Sequence, residues 1–170
     1  SHCKLKIHLS AASLLDENLI SNLLDFLSQN SLPENSVIFE FCEKDIVTHL
    51  KMSVKVYKQM GQNNLISSLS GFGSTDESEA VINAINCKGL SWLSIEAALF
   101  DNFATDTEAQ QKVQTLLTLA HNLELITIAP GIADAVSLAA IWPMNVHHIS
   151  GEYIGMTNDS LAFDFSEASF

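Results

Sequence analysis

The feature that most constrains the fold is a regular alternation of short apolar runs with helical patterns. Six strand-like runs are predicted, at residues 4–9, 36–43, 65–70, 90–95, 125–130 and 146–151. Amphipathic helical patterns separate them, at residues 16–30, 46–62, 77–86, 107–123 and 134–143. Strands that alternate with helices are typical of a parallel α/β sheet. Runs such as "LITIA" have no polar face, which indicates strands buried on both sides.

Individual residues give finer expectations for this pattern. Gly61 follows a long helical pattern and is expected to end that helix as a C-terminal cap. Trp92 and Trp142 are expected to pack in the core or between helices and sheet. His147 and His148 are adjacent in a predicted strand, so they should point to opposite faces, and at most one can face a site.

The charge balance restricts the partners. The chain has 20 acidic against 8 basic side chains and a net charge of −12. Such a surface repels phosphate backbones and anionic lipids, so nucleic-acid binding is not expected. No stretch approaches the ~18 apolar residues of a membrane span, and no signal peptide is recognisable. A protein partner is compatible with this composition.

The cysteines and the termini complete the general description. The three cysteines, Cys3, Cys42 and Cys87, are far apart and odd in number, so ordinary free thiols and a cytoplasmic location are expected. We expect one domain over residues 1–170. Ser1-His2 has the look of a cloning remnant, and residues 156–170 are expected to form a C-terminal tail.

The ends of the predicted strands carry a series of short motifs. In order, they read "IHLS" (7–10), "FEFCE" (39–43), "SGFGST" (70–75), "LSIE" (93–96), "APGIA" (129–133) and "SG" (150–151). This series resembles the EAL domain, the cyclic di-GMP phosphodiesterase family, whose motifs run vNlS, lEiTE, DDFGtG, lKID, AEGVE and QG. The resemblance extends from about residue 4 to 155, and the tail "FDFSEASF" is similar to the ends of FimX-like members.

The resemblance implies an α/β, TIM-barrel-like (β/α) fold that is incomplete. A full barrel has eight strands and roughly 250 residues, whereas six strands are predicted here. The first motif matches the family's third strand, so the first two strands and the EAL signature are expected to be missing. Six strands leave two open sheet edges, which a partner chain, a second copy or the tail can cover.

The family's reaction uses two divalent metals held by carboxylates and an asparagine, and the motif positions here depart from that set. His8 stands at the asparagine, and Ser70 and Gly71 stand at the paired aspartates. The glutamate assigned as a ligand matches Glu43, and Glu40 matches the other glutamate of the same motif.

The later motifs have changed further. Ser94 replaces a lysine, while Glu96 stands at the neighbouring aspartate. Pro130 and Ala133 replace two glutamates, and Ser150 replaces a glutamine. Glu43 and Glu96 are therefore the two acidic groups expected at the mouth of the barrel, where the carboxyl ends of the strands meet. Two carboxylates are too few to hold two metals.

The resemblance thus implies a catalytically inactive, regulatory EAL-like domain of a bacterial cyclic di-GMP signalling protein, acting through protein–protein contacts. No catalytic residue, metal or cofactor is expected. The alternative is a receptor that binds cyclic di-GMP without cleaving it, and an active phosphodiesterase is the third possibility. A serine hydrolase is not expected, because no G-x-S-x-G elbow surrounds the serines near His8.

Overall fold

The fold is that of a computed structural model, which describes residues 4–32, 35–86 and 89–155. Six strands form in these residues: β1 (Leu5–His8), β2 (Val37–Cys42), β3 (Ile66–Phe72), β4 (Leu90–Ile95), β5 (Ile126–Ala129) and β6 (His148–Ile149). The α-helices are α1 (Ala11–Leu14), α2 (Leu19–Gln29), α3 (Glu43–Thr48), α4 (Leu50–Gln62), α5 (Ser78–Ile85), α6 (Thr107–Asn122) and α7 (Ala135–Ile141). Two 3₁₀ helices follow β4 and α7, at Ala97–Phe100 and Trp142–Met144.

The strands form one parallel sheet in the order β1-β2-β3-β4-β5-β6, so each strand lies beside its neighbours in sequence. Every pair is parallel, with helical segments in the connections. This is the order expected when one hand of βα crossover is repeated. The predicted α/β, barrel-like fold with six strands is confirmed.

One face of the sheet is covered by the helices and forms the core. Phe41 and Leu69, which are fully buried, belong to this face, and Tyr57 of α4 packs on Phe41 with ring centroids 5.9 Å apart. The Tyr57 hydroxyl donates a hydrogen bond of 3.0 Å to the carbonyl of Ser68. The helices are thus fixed to the sheet by apolar packing and by a polar contact to a strand.

The other face is concave and carries polar side chains. Trp92 of β4 stacks on His148 of β6 with ring centroids 5.1 Å apart, and Lys4 Nζ lies 5.6 Å from the Trp92 ring. Lys4, next to β1, and His148 of β6 therefore both contact Trp92 of β4. This convergence requires the sheet to curl into part of a barrel.

The predicted helix over residues 46–62 is two helices. The chain breaks at His49 (φ −124°, ψ 38°), and α3 already begins at Glu43. The predicted cap at Gly61 is wrong, because α4 continues to Gln62 and the left-handed residue is Asn64, with φ 55°. Gly61 instead packs on Gly89, where an added Cβ would come within 2.7 Å of the Gly61 nitrogen.

Trp142 also departs from expectation. Its side chain is 75% exposed, because it lies in the 3₁₀ turn after α7, so the predicted packing is wrong for this residue. Trp92 does pack against its neighbours, and Cys42 is a half-buried free thiol, as predicted. The predictions for Ser1-His2, Cys3, Cys87 and the tail 156–170 lie outside the described residues. Among the helices described, none is long and apolar enough to span a bilayer.

Candidate functional site

The carboxyl ends of the parallel strands meet at one edge of the sheet, which we call the mouth. The loop after β3 is held there by Glu43. The N–H groups of Gly73 and Ser74 donate to Glu43 Oε2 at 2.9 and 3.0 Å, and the Ser74 hydroxyl donates to the same oxygen at 3.1 Å. The Thr75 hydroxyl donates to Oε1 at 2.8 Å. Glu43 is fully buried, so both of its oxygens are enclosed by this loop.

Glu43 was predicted as one of two acidic groups at the mouth, and its carboxylate is bonded there to the β3 loop and is not exposed to solvent. Strand β2 ends at Cys42, and Glu43 is the first residue of α3. Residues two apart on a strand share a face, so Glu40 and Cys42 belong to the concave row and Glu43 does not. It lies instead beneath the β3 loop and fixes that loop's backbone.

The other glutamate of the motif, Glu40, faces the concave surface. Lys6 Nζ lies 2.8 Å from Glu40 Oε2, and the Ser68 hydroxyl donates to the same oxygen at 3.0 Å. His8 pairs with Glu40 in the strand register, and its Nδ1 lies 3.9 Å from Glu40 Oε1. Glu40 is nine-tenths buried. Its charge is thus balanced within the protein by a lysine on the neighbouring strand.

Ser70 and Gly71 lie at the end of β3. The Ser70 hydroxyl makes a 3.4 Å hydrogen bond to the carbonyl of Phe41. Gly71 has φ +68°, and a Cβ built on it would lie 3.2 Å from Glu96 Oε2 and 3.6 Å from Cys42 Sγ. Gly71 is therefore the position at which β2, β3 and β4 come together, and Glu96 lies directly over it.

Glu96 serves as the N-cap of the following 3₁₀ helix. Its Oε1 accepts a hydrogen bond of 3.4 Å from the N–H of Ala98. Ser94, two residues earlier, is buried in β4. The "LSIE" motif thus places one carboxylate at the mouth and keeps it beside Gly71.

The far side of the mouth is formed by the segments after β5 and β6. Pro130 is half-buried and Ala133 is exposed. Ser150 is bonded through its backbone: its N–H donates to the carbonyl of Ala129, and its carbonyl accepts from the N–H of Ile132, both at 3.0 Å. No side-chain hydrogen bond of Ser150 contributes to this arrangement among the contacts described, so backbone pairing fixes this side.

Asp134 follows this segment and caps α7. Its Oδ1 accepts a hydrogen bond of 2.7 Å from the N–H of Ser137, and its Oδ2 accepts from the Ser137 hydroxyl at 3.2 Å. The backbone hydrogen bond from Ser137 is the main cause that lowers the pKa of Asp134 below its ordinary value, assisted by the hydroxyl and the Val136 N–H, while desolvation opposes them. This carboxylate acts on the helix rather than on the mouth.

Comparison with known proteins identifies the family. The sequence profile of the EAL domain matches residues 1–157. The chain belongs to the EAL domain family. Among solved structures, the FimX EAL domain from Pseudomonas aeruginosa bound to c-di-GMP superposes with a TM-score of 0.85 at 25% identity. The FimX EAL domain of Xanthomonas citri in complex with c-diGMP gives a TM-score of 0.84 at 18% identity, a likeness of fold.

These EAL domains are longer than the present chain. The match covers 95% of this chain and 65% of the Pseudomonas chain, and 96% and 63% for the Xanthomonas pair. A curated relative, "Signaling protein YkoW" of Bacillus subtilis, is 23% identical over 145 residues, which are 85% of this chain and 18% of that protein. The chain therefore spans about a fifth of the length of that relative.

The sequence analysis did not identify Lys6 as the ion-pair partner of Glu40. Lys6 lies two residues before His8 on the same face of β1, and both face Glu40. The alternation Lys4-x-Lys6-x-His8 was a usable signal, since residues two apart on a strand share a face. The expectation that His147 and His148 separate is confirmed: His147 contacts Thr127, and His148 stacks on Trp92.

Proposed function

We propose that this chain is a catalytically inactive, regulatory EAL-like domain of a bacterial cyclic di-GMP signalling protein and that it acts through protein–protein contacts. The observation that carries the proposal is the end of β3. There Gly71 has no side chain, and the Ser70 hydroxyl is bonded to the carbonyl of Phe41. Neither residue can supply the anionic oxygens that hard divalent cations need.

The remaining groups do not fit a two-metal centre. Glu40 is paired with Lys6, and Glu43 is enclosed by the β3 loop. Glu96 remains at the mouth as a capping carboxylate. Within the part of the chain that the structure describes, no group of three or more His, Cys, Asp or Glu side chains is arranged to hold an ion. Two-metal activation of water has no set of ligands among these residues.

The test is a cleavage assay. The chain, and the longer protein that contains it, are incubated with cyclic di-GMP and Mg²⁺ or Mn²⁺ at stoichiometric enzyme concentration. No linear dinucleotide is expected above the protein-free control, whereas an active EAL phosphodiesterase run in parallel gives product. Metal-dependent turnover by the longer protein would contradict the proposal and favour an active phosphodiesterase.

A second function, that of a non-hydrolysing cyclic di-GMP receptor, is favoured by one observation. Two of the similar solved EAL domains, both from FimX, hold this dinucleotide. Against it, the chain has a net charge of −12 and a proline at residue 130, which has no N–H to donate. Calorimetry with cyclic di-GMP on the longer protein separates the two functions, because micromolar or tighter binding without cleavage would establish the receptor.

The proposal also concerns architecture and partners. Strands β1 and β6 are the edges of the sheet described, and each presents unpaired backbone groups. We propose that residues 1–170 are one EAL-like unit whose edges are covered by further strands or by a protein partner, including a second copy. Light scattering after size exclusion tests self-association: a mass of one chain at all concentrations would exclude the second copy. A cytoplasmic location remains part of this proposal.

A further inference from the structure

His147, immediately before β6, is joined to Thr127 of β5 by three polar contacts. The Thr127 N–H donates to His147 Nδ1 at 3.1 Å, and the Thr127 hydroxyl lies 2.9 Å from the same nitrogen. The N–H of His147 donates to Thr127 Oγ1 at 3.3 Å. Thr127 is fully buried. Because β6 is two residues long, this side-chain pair supplies contacts that a longer strand would make through its backbone.

These contacts define the tautomer of the neutral imidazole. A backbone N–H can only donate, so His147 Nδ1 must act as an acceptor, and the neutral ring carries its proton on Nε2. Protonation at Nδ1 would replace this acceptor with a donor that faces the Thr127 N–H. The attractive contact then becomes a repulsive one.

The titratable groups near His147 come from α6, from the turn after it, from β6 and from β1. From α6, the His121 ring meets the His147 ring edge-on at 5.5 Å, and its Nε2 is buried without a hydrogen-bond partner. Glu124, an exposed residue after α6, lines the same cavity as these two histidines. On β6 itself, His148 is the next residue, and Lys6 of β1 acts on His148 from across the concave face.

The neighbouring His148 favours its neutral state. Burial lowers the pKa of His148 below its ordinary value, and the charges of His147 and Lys6 lower it further. Its ring stacks on Trp92, on the opposite side of the strand from Thr127. Both histidines of the dipeptide therefore hold β6 in place, His147 by hydrogen bonds and His148 by stacking.

Strand β6 in turn holds part of the mouth. Ser150 bonds Ala129 and Ile132 through its backbone. Gly151 lies so close to Ile132 that an added Cβ would overlap that residue's backbone nitrogen and oxygen. Movement of β6 must therefore move the segment 130–133.

We propose that the hydrogen bonds between His147 and Thr127 hold β6 on β5 in a pH-sensitive way. Protonation of His147 at Nδ1 releases β6 from Thr127 and loosens the segment 130–133 at the mouth. This conformational device is independent of whether the domain binds cyclic di-GMP or a protein.

The first test reads the tautomer in the wild-type chain. Two-dimensional ¹⁵N–¹H correlation spectra of the histidine ring nitrogens, recorded at about pH 7.5, are expected to show His147 with Nδ1 unprotonated and Nε2 protonated. A neutral His147 with its proton on Nδ1 would overturn the proposal. This measurement needs no variant and so does not depend on a substituted chain folding.

The second test follows release. Hydrogen–deuterium exchange of residues 126–132 and 146–151, corrected for the intrinsic pH dependence, is compared at about pH 7.5 and about pH 5.5. Wild type is expected to open roughly two- to tenfold more often at the lower pH, the effect of losing one hydrogen bond. In His147→Asn, the amide oxygen can still accept from Thr127 but does not titrate, so this acid response should largely disappear.

His148→Asn is the matched control, since it removes the adjacent imidazole and leaves the Thr127 contact intact. It is expected to keep most of the acid response in residues 126–132. An equal acid response in wild type and His147→Asn would overturn the proposal, as would its complete loss in His148→Asn alone.

Discussion

The loops after β3 and β5 lie at the same edge of the sheet, but different contacts hold them. The β3 loop closes over Glu43, whose two oxygens accept four hydrogen bonds from residues 73–75. On the concave face of β2, Glu40 forms an ion pair with Lys6. The segment after β5 depends instead on backbone bonds to Ser150 and on the close approach of Gly151 to Ile132.

The contacts that hold the two loops can therefore be distinguished from side chains that would take part in a reaction. Glu43 is retained although its loop has serine and glycine where the resembling motif has two aspartates. A buried carboxylate with four donors is needed for the loop's shape whether or not a reaction follows. On the β5 side, the contacts with Ser150 are made by backbone groups, so they do not require the side chains of Pro130 and Ala133.

The largest effect is expected from Glu43→Ala. The substitution leaves the N–H groups of Gly73 and Ser74 and two hydroxyls without their acceptor in a buried site. We expect a loss of about 3 to 5 kcal/mol in the free energy of unfolding, measured by urea denaturation.

Glu17→Ala provides the matched control, because Glu17 is an exposed glutamate. Its removal should change stability by less than about 0.5 kcal/mol. Equal losses in the two variants would mean that the carboxylate does not hold the β3 loop.

Gly151→Ala tests the other side of the mouth. Its added methyl would overlap the backbone of Ile132, which has no flexible tip to move away. A loss of about 3 kcal/mol is expected from this forced shift. Gly131→Ala is the comparison, since Gly131 also has a positive φ (+77°) but its added Cβ would make only ordinary contacts, 3.8 Å from Ala97 Cβ and from the Ala97 carbonyl oxygen, so only the backbone strain of about 1 to 2 kcal/mol applies. Similar losses would argue against close packing at Gly151.

Removing the charge of Lys6, on the β3 side of the comparison, should have a smaller effect. Lys6→Met keeps the length of the side chain but leaves the nine-tenths buried Glu40 without its cation. Because the Lys6 side chain is 32% exposed, water can partly replace the lost partner. We expect a loss of about 1 kcal/mol, measured by thermal and urea unfolding. The double variant Lys6→Met, Glu40→Gln should recover part of it, and failure to recover would show that the pair is not coupled.

The sheet could be predicted from sequence because its strands are short apolar runs between helical patterns, and such runs are typical of buried strands. β4, for example, occupies the predicted residues 90–95. The positions of individual side chains at the strand ends were harder to predict. The enclosure of the Glu43 carboxylate depends on hydrogen bonds from residues 30 to 32 positions later in the chain, which the motif does not show.

Contacts between distant elements were also invisible in the sequence. Gly61 resembles a helix cap, but its backbone lies against Gly89, where any side chain would meet it. Trp142 is exposed because α7 ends in a 3₁₀ turn before it can bury the ring. Thr127 gave no signal, since its bond to His147 joins residues 20 apart.

The smallest effect on stability is expected from Asp134, the N-cap of α7 on the β5 side of the mouth. Hydrogen bonds from Ser137, chiefly from its N–H, lower the pKa of Asp134, so the folded protein releases this proton more readily than the unfolded chain. The resulting stabilisation is present above the ordinary aspartate pKa of 3.8 and is lost as the pH falls through the lowered value. In Asp134→Asn the cap remains but does not titrate, so wild type should exceed it in stability above this window and lose that advantage below. Ser137→Ala keeps the N–H donor and should retain most of the pH dependence. Urea unfolding across this pH range measures both, and parallel profiles for wild type and Asp134→Asn would mean that the cap does not favour the charged carboxylate.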